Sequence, residues 1–241
     1  MKRQFIGLTD TGVVRTANQD NYFVDDELGR FFIVADGMGG HAGGEEASRI
    51  ATEIIYDYLK QNWDSPLESS VLLKEAVTKA NQGIIEDQRK NPQRGDMGTT
   101  AVVLIFRDEQ PMCAHVGDSR LYRLQGSSLK QITDDHTWVG MALQKGEIDA
   151  EQAKFHPWRH VLSQCLGRED LQRIDIQEFE IQSGDRLLIC SDGLTEEVTD
   201  EQIETALTNL QSCKETAQEL IDAAKAAGGS DNITIVIVEQ E

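Results

Sequence analysis

The stretch Phe31 to Glu46, FFIVADGMGGHAGGEE, constrains this chain more than any other. An apolar run ends at Asp36, five glycines crowd the next eight residues, and a helix-period pattern follows. Glycine tolerates positive φ and lets bare backbone approach a ligand closely. A strand ending in a carboxylate, then a Gly-rich loop and a helix start, suits the holding of something small and charged. The remaining residues can be sorted by whether they could meet Asp36 there.

At 241 residues, with four prolines and no Gly/Ser- or Pro-rich linker, the chain is expected to form a single domain over 1–241. Its 42 acidic residues outnumber 23 basic ones, for a net charge of −19. Such a balance argues against nucleic acid or an anionic membrane, which are bound through clustered Lys and Arg. A solvated acidic surface explains part of the excess; metal ligation would explain some of the rest. The longest apolar runs, Leu187 to Cys190 and Ile233 to Val238, are far shorter than a membrane span. The opening MKRQFIGLTD lacks the apolar stretch of a signal peptide. Cys113, Cys165, Cys190 and Cys213 show no metal-like pairing and read as reduced thiols of a cytoplasmic protein. No feature signals oligomerisation, and a monomer is expected.

Strand patterns fall at Phe5 to Thr9, Tyr22 to Asp25 and Phe31 to Ala35, the last apolar throughout as in a buried strand. Apolar residues from Ala47 to Leu59, and again from Leu73 to Ile85, repeat every 3.6 positions and predict two amphipathic helices. Further strands are expected at Thr100 to Phe106, Met112 to Val116, Leu121 to Leu124 and Leu129 to Ile132. The segment 133–167 has no steady period and reads as an irregular insertion with short helical turns. Strands resume at Ile174 to Ile181 and Arg186 to Cys190. Helices over Asp200 to Leu210 and Lys214 to Ala227 precede a last strand, Ile233 to Val238. Strands in runs and helices in pairs predict an α+β fold with mainly antiparallel pairing.

Four apolar strands carry an aspartate at one end: Asp36, Asp118, Asp192 and Asp231. Asp-Gly and Asp-Ser are common turns, and for Asp118, which leads into another strand, a turn is an equal reading. Neither Asp36-Gly37 nor Asp192-Gly193 is followed by the second strand that a hairpin needs. Four carboxylates on one sheet edge would repel each other unless cations sit between them. An oxygen-only set suits Mg²⁺ or Mn²⁺ rather than Zn²⁺. The Gly37-x-Gly39-x-x-Ala42 spacing also matches a dinucleotide fingerprint. However, Asp57 lies within the helical pattern instead of at a strand end, and Asp36 would face the pyrophosphate.

Seven blocks in order then carry a resemblance. They are Arg15-Thr16-Ala17-Asn18-Gln19-Asp20, Val34-Ala35-Asp36-Gly37-Met38-Gly39-Gly40-His41, Gly98-Thr99-Thr100-Ala101, Val116-Gly117-Asp118-Ser119-Arg120, Asp135-His136-Thr137, Ser191-Asp192-Gly193-Leu194 and Gly229-Ser230-Asp231-Asn232-Ile233-Thr234. Nearly end to end, the chain resembles the type-2C metal-dependent protein Ser/Thr phosphatases (the PPM family). In its compact length it is similar to small bacterial members, among them the type that acts on the phosphorylated nitrogen-signalling protein PII.

The resemblance implies a central antiparallel β-sandwich flanked by pairs of antiparallel helices, with a flap at about 133–167. It implies a phosphorylated Ser/Thr protein as substrate and Mg²⁺ or Mn²⁺ as cofactor, two core ions plus a weaker third. Asp36 would bridge two ions, the Gly37 carbonyl would ligate one, and Asp192 and Asp231 would complete the other site. Asp118, with Asp192, would hold the third. Asp20 matches the position that orients water in the outer shell, His41 that of the proton donor, and Arg15 that of the phosphate clamp. Gly98-Thr99-Thr100 is expected to pack beside the site, and Asn232 to cap a turn. His160 and Arg159, in the flap, read equally as contacts to substrate or as purely structural residues. Water as nucleophile is consistent with the absence of a Cys-x5-Arg loop.

Overall fold

The computed structural model describes residues 2–25, 27–40, 43–108, 110–209 and 212–241. The strand Phe31–Met38 (β3) shows why the architecture is layered. Successive side chains of a strand point to opposite faces, so a run that is apolar at every position needs two covers. Phe31 and Ile33 pack with side chains of two long antiparallel helices, Gly43–Asn62 (α1) and Ser69–Lys90 (α2). Phe32 and Val34 turn the other way and meet Leu187, Ile189, Val236 and Val238 of a second sheet. Each fully buried Leu, Ile or Phe contributes about 1.5–3 kcal/mol relative to exposure, so the layers are held chiefly by this double burial.

One sheet runs in the order Arg3–Asp10 (β1), Ile233–Gln240 (β11), Arg186–Cys190 (β10), Arg120–Gln125 (β7) and Ser128–Gln131 (β8). The other is ordered Asp20–Val24 (β2), β3, Ala101–Ile105 (β5), Met112–Val116 (β6) and Asp175–Glu178 (β9), with Gly98–Thr99 (β4) beside the end of β3. Their pairings are antiparallel. Asp200–Thr208 (α6) and Cys213–Ala227 (α7) cover the first sheet through Leu188, Cys190, Ile235 and Ile237. The result is helix, sheet, sheet, helix, the expected α+β sandwich.

The differences from the sequence reading are local. β3 continues past Asp36, because Gly37 and Met38 pair with Thr99 and Gly98 of β4. The strand expected over Ile174 to Ile181 shortens to Asp175–Glu178. Segment 133–167 holds two short helices, Trp138–Gln144 (α3) and Ala150–Lys154 (α4). A single helical turn, Asp192–Thr195 (α5), follows β10 directly. The helix begun at Asp200 ends at Thr208; Leu210 lies outside the described residues. Among the described residues no helix is long and apolar enough to cross a membrane.

Candidate metal centre

Asp36, Gly37, Asp118, Asp192 and Asp231 line one cleft of about 530 Å³, together with Arg15 and His160. The cleft sits across the ends of both sheets. Asp36 comes from β3 of one sheet, Asp192 and Asp231 flank β10 and β11 of the other, and Asp118 lies in the crossing from β6 to β7.

Asp36 is fixed through its backbone. Its N–H donates to Thr100 Oγ1 at 3.0 Å, and its carbonyl accepts from Thr100 N–H at 2.9 Å and from Thr99 Oγ1 at 2.8 Å. The Gly98-Thr99-Thr100 block thus sits beside the site and holds its central carboxylate in place. Gly37 is required by space: a Cβ there would lie 2.1 Å from the Gly44 carbonyl oxygen. Asp192 and Asp231 approach each other for a similar reason. A Cβ on Gly193 would stand 2.0 Å from the Asn232 carbonyl oxygen, so only glycine lets the start of α5 close on the start of β11.

Asp20 lies behind this wall, 9% exposed, with Ser191 Oγ donating to its Oδ2 at 2.7 Å. Burial, aided by Asp192 and Asp231, pushes its carboxyl up to about 7 against the hydrogen bonds from Thr234 and Ser191. Burial also raises Asp36, Asp118 and Asp192; neighbouring carboxylates add to this at all three. Asp192 Oδ1 is buried and has no hydrogen-bond partner among the described residues. Crowded carboxyls forced above their ordinary range, one with an orphaned oxygen, are what a divalent cation would relieve. The donor set is oxygen, and it fits Mg²⁺ or Mn²⁺.

At the cleft's lip, Arg15 donates from Nη2 to Asp231 Oδ2 at 2.7 Å while its side chain stays half exposed. The loop carrying it is stapled by Asn232, which does more than cap a turn. Asn232 Nδ2 donates to the carbonyls of Thr11 and Ala17, and its Oδ1 accepts from Gln19 N–H. On the facing side, His160 Nδ1 lies 2.5 Å from Glu196 Oε1. Burial lowers His160, whereas burial followed by Asp192 and Asp231 pushes Glu196 up to about 7. Burial disfavours the charged form of both partners, and the two meet as hydrogen-bonded groups. His41 lies outside the described residues.

Sequence reasoning missed Glu196, the bond made by Ser191 and the pinning role of Thr99 and Thr100. Glu196 had a signal, since it follows Asp192 by four residues, one helical turn. Ser191 was legible as part of the Ser191-Asp192-Gly193-Leu194 block, but its bond to Asp20, 171 positions away, was not. Among the described residues, two clusters of side chains have ligand atoms within 4.8 Å of one another, the spacing of a single ion: His160, Asp192 and Glu196, and His115, His136 and Asp175.

A model of protein phosphatase 2C matches residues 13–233. The chain belongs to the protein phosphatase 2C family. It is a Mg²⁺- or Mn²⁺-dependent serine/threonine phosphatase. The phosphatase is 37% identical over 236 residues to the serine/threonine phosphatase stp of Listeria welshimeri, covering 96% of this chain and 94% of that one. The crystal structure of Mycobacterium tuberculosis PstP/Ppp superposes with a TM-score of 0.88 at 34% identity, over 99% of each chain. The catalytic domain of PstP, solved in complex with two manganese ions, superposes with a TM-score of 0.86 at 33% identity, over 98% of this chain and 97% of that one.

Proposed function

We propose that this phosphatase binds its phosphoserine and phosphothreonine substrates with phosphorus over the Asp36–Asp192–Asp231 cluster. The observation that carries the reading is the convergence of four strand-end carboxylates on one cleft with Arg15 at its lip. Asp36, the Gly37 carbonyl, Asp192 and Asp231 would hold two core ions, and Asp118 with Asp192 a weaker third. Such ions, when bound, supply an activated water and neutralise phosphoryl charge.

The chain's own residues do the rest. Arg15 exchanges Asp231 for two phosphate oxygens, a bidentate contact that its planar guanidinium suits. Asp20, buried and held by Ser191, orients water in the outer shell of the ions. His41 is assigned as donor to the departing alkoxide, a poor leaving group. His160, steered by Glu196, reaches the substrate from the flap. Four free thiols support a cytoplasmic setting. The enzyme acts as a monomer and single domain, without nucleic acid or membrane partners, and phosphorylated PII is the first protein substrate to try.

The test is phosphate release from a phosphothreonine peptide with Mn²⁺, with and without EDTA, beside Asp36→Ala. Release that EDTA and Asp36→Ala both abolish is expected. Undiminished release by Asp36→Ala would remove that residue from the centre. Phosphorylated PII and a casein phosphopeptide, run side by side, decide the substrate.

A further inference from the structure

His136 is buried at 3% exposure and touches three separate parts of the molecule. It clamps the Gly117 peptide from both sides. Gly117 N–H donates to His136 Nδ1 at 3.2 Å, and His136 N–H donates back to the Gly117 carbonyl at 2.7 Å. That peptide immediately precedes Asp118. Its φ of +109° is glycine territory, and a Cβ there would lie 2.6 Å from Thr100 Cβ. The His136 carbonyl accepts from Ser163 N–H at 2.7 Å, and the next residue, Thr137, forms a β-bridge with Leu162. Leu162 and Ser163 line the cleft at the flap's exit. Finally, His136 Nε2 lies 3.2 Å from Asp175 Oδ2.

Because a backbone N–H can only donate, Nδ1 must be the acceptor and Nε2 carries the proton that faces Asp175. The ring is therefore occupied at both nitrogens, and this triad is a hydrogen-bond relay in place of an ion cradle. Asp175 is itself held by Arg173, whose Nε and Nη2 lie 2.5 and 2.6 Å from its two oxygens. His115, whose ring nitrogens have no hydrogen-bond partner among the described residues, packs tilted against His136 with centroids 4.5 Å apart.

We infer that His136 is a positioning residue that ties the flap's exit to the Asp118 loop, so that the two hold one geometry together. The inference rests on the reading of Asp118 as ligand to the weaker ion. Without the side chain, Gly117 N–H loses its acceptor and only the backbone bond to its carbonyl still guides the approach to Asp118, while the bonds that hold Asp36, Asp192 and Asp231 are untouched.

The experiment is Mn²⁺ titration calorimetry on the full chain, with amide hydrogen exchange of residues 160–164, for wild type, His136→Ala, His136→Asn and Asp118→Ala. His136→Ala is expected to weaken the low-affinity binding step by about fivefold or more, the scale of one lost hydrogen bond, and leave the tight steps unchanged. Exchange at 160–164 should rise in the same variant. His136→Asn, whose Oδ1 can still accept from Gly117, should restore most of the ion affinity. Unchanged weak binding in His136→Ala, or equal weakening of every step with a general loss of protection, would overturn the inference. If Asp118→Ala itself leaves the weak step intact, the ligand reading fails. The exchange data then test the tie to the flap separately: no rise in His136→Ala would overturn that as well.

Discussion

Asp20 stands directly opposite Asp36 in the antiparallel register of β2 and β3. Two carboxylates are thus paired across one sheet, the first buried behind the cleft and the second lining it. Like charges facing each other destabilise a sheet. Here Ser191 and Thr234 hydrogen-bond to Asp20, and the repulsion that remains is a cost borne by the site.

Asp20→Asn retains an acceptor for Ser191 Oγ and removes the charge. The variant should fold with an unchanged or higher Tm in EDTA, yet lose about tenfold to a thousandfold in kcat because the attacking water is no longer held in line. Thermal melts with steady-state kinetics at saturating Mn²⁺ decide this; a kcat within about twofold of wild type would assign Asp20 a packing role only.

Metal should stabilise the protein more as pH rises. Asp20, Asp36, Asp118 and Asp192 are all raised above the ordinary carboxylate value, so the ion-free fold keeps protons that the unfolded chain releases. Their contribution is full below about pH 4 and is lost as pH climbs through the folded values, of which Asp20's is about 7. His115 works in the opposite sense. Burial lowers it to about 3, and its contribution fades as pH falls from 6.5 towards that value. The difference in Tm with and without Mn²⁺ cancels His115, and it should widen steadily from about pH 5 to about pH 8. A flat difference would disconnect the raised carboxyls from ion binding.

Arg15→Lys keeps the charge but loses the fork. KM for a phosphothreonine peptide should rise by about tenfold, the worth of one charge-assisted hydrogen bond, and Arg15→Ala should be no better. Equal KM for wild type and Lys would mean that Arg15 serves as a point charge towards Asp231.

Gly193→Ala places a methyl group where the Asn232 carbonyl now lies at 2.0 Å. Overpacking of this kind costs about 1–3 kcal/mol, and the strain falls between Asp192 and Asp231. Tight Mn²⁺ binding measured by calorimetry should weaken even though no ligand is altered. Retained affinity would show that β11 shifts without disturbing the carboxylates.

The sequence alone determined much of this protein, because the determining signals are local. Phe31 to Ala35 is apolar at each position and so had to be covered on both faces; Ala47 to Leu59 carries its own helical period. Asp36, Asp118, Asp192 and Asp231 could be picked out because each interrupts an apolar run. Only the tertiary structure decided that these four meet, since that depends on strand register and on how two sheets stack. It also decided that β3 runs on past Asp36, a matter of pairing with Gly98 and Thr99 that no apolar pattern records. Ser191 and His136 owe their roles to partners 171 and 19 residues away. The blocks that contain them could be read in the chain, but the partners could not, because such contacts come from the packing of distant segments.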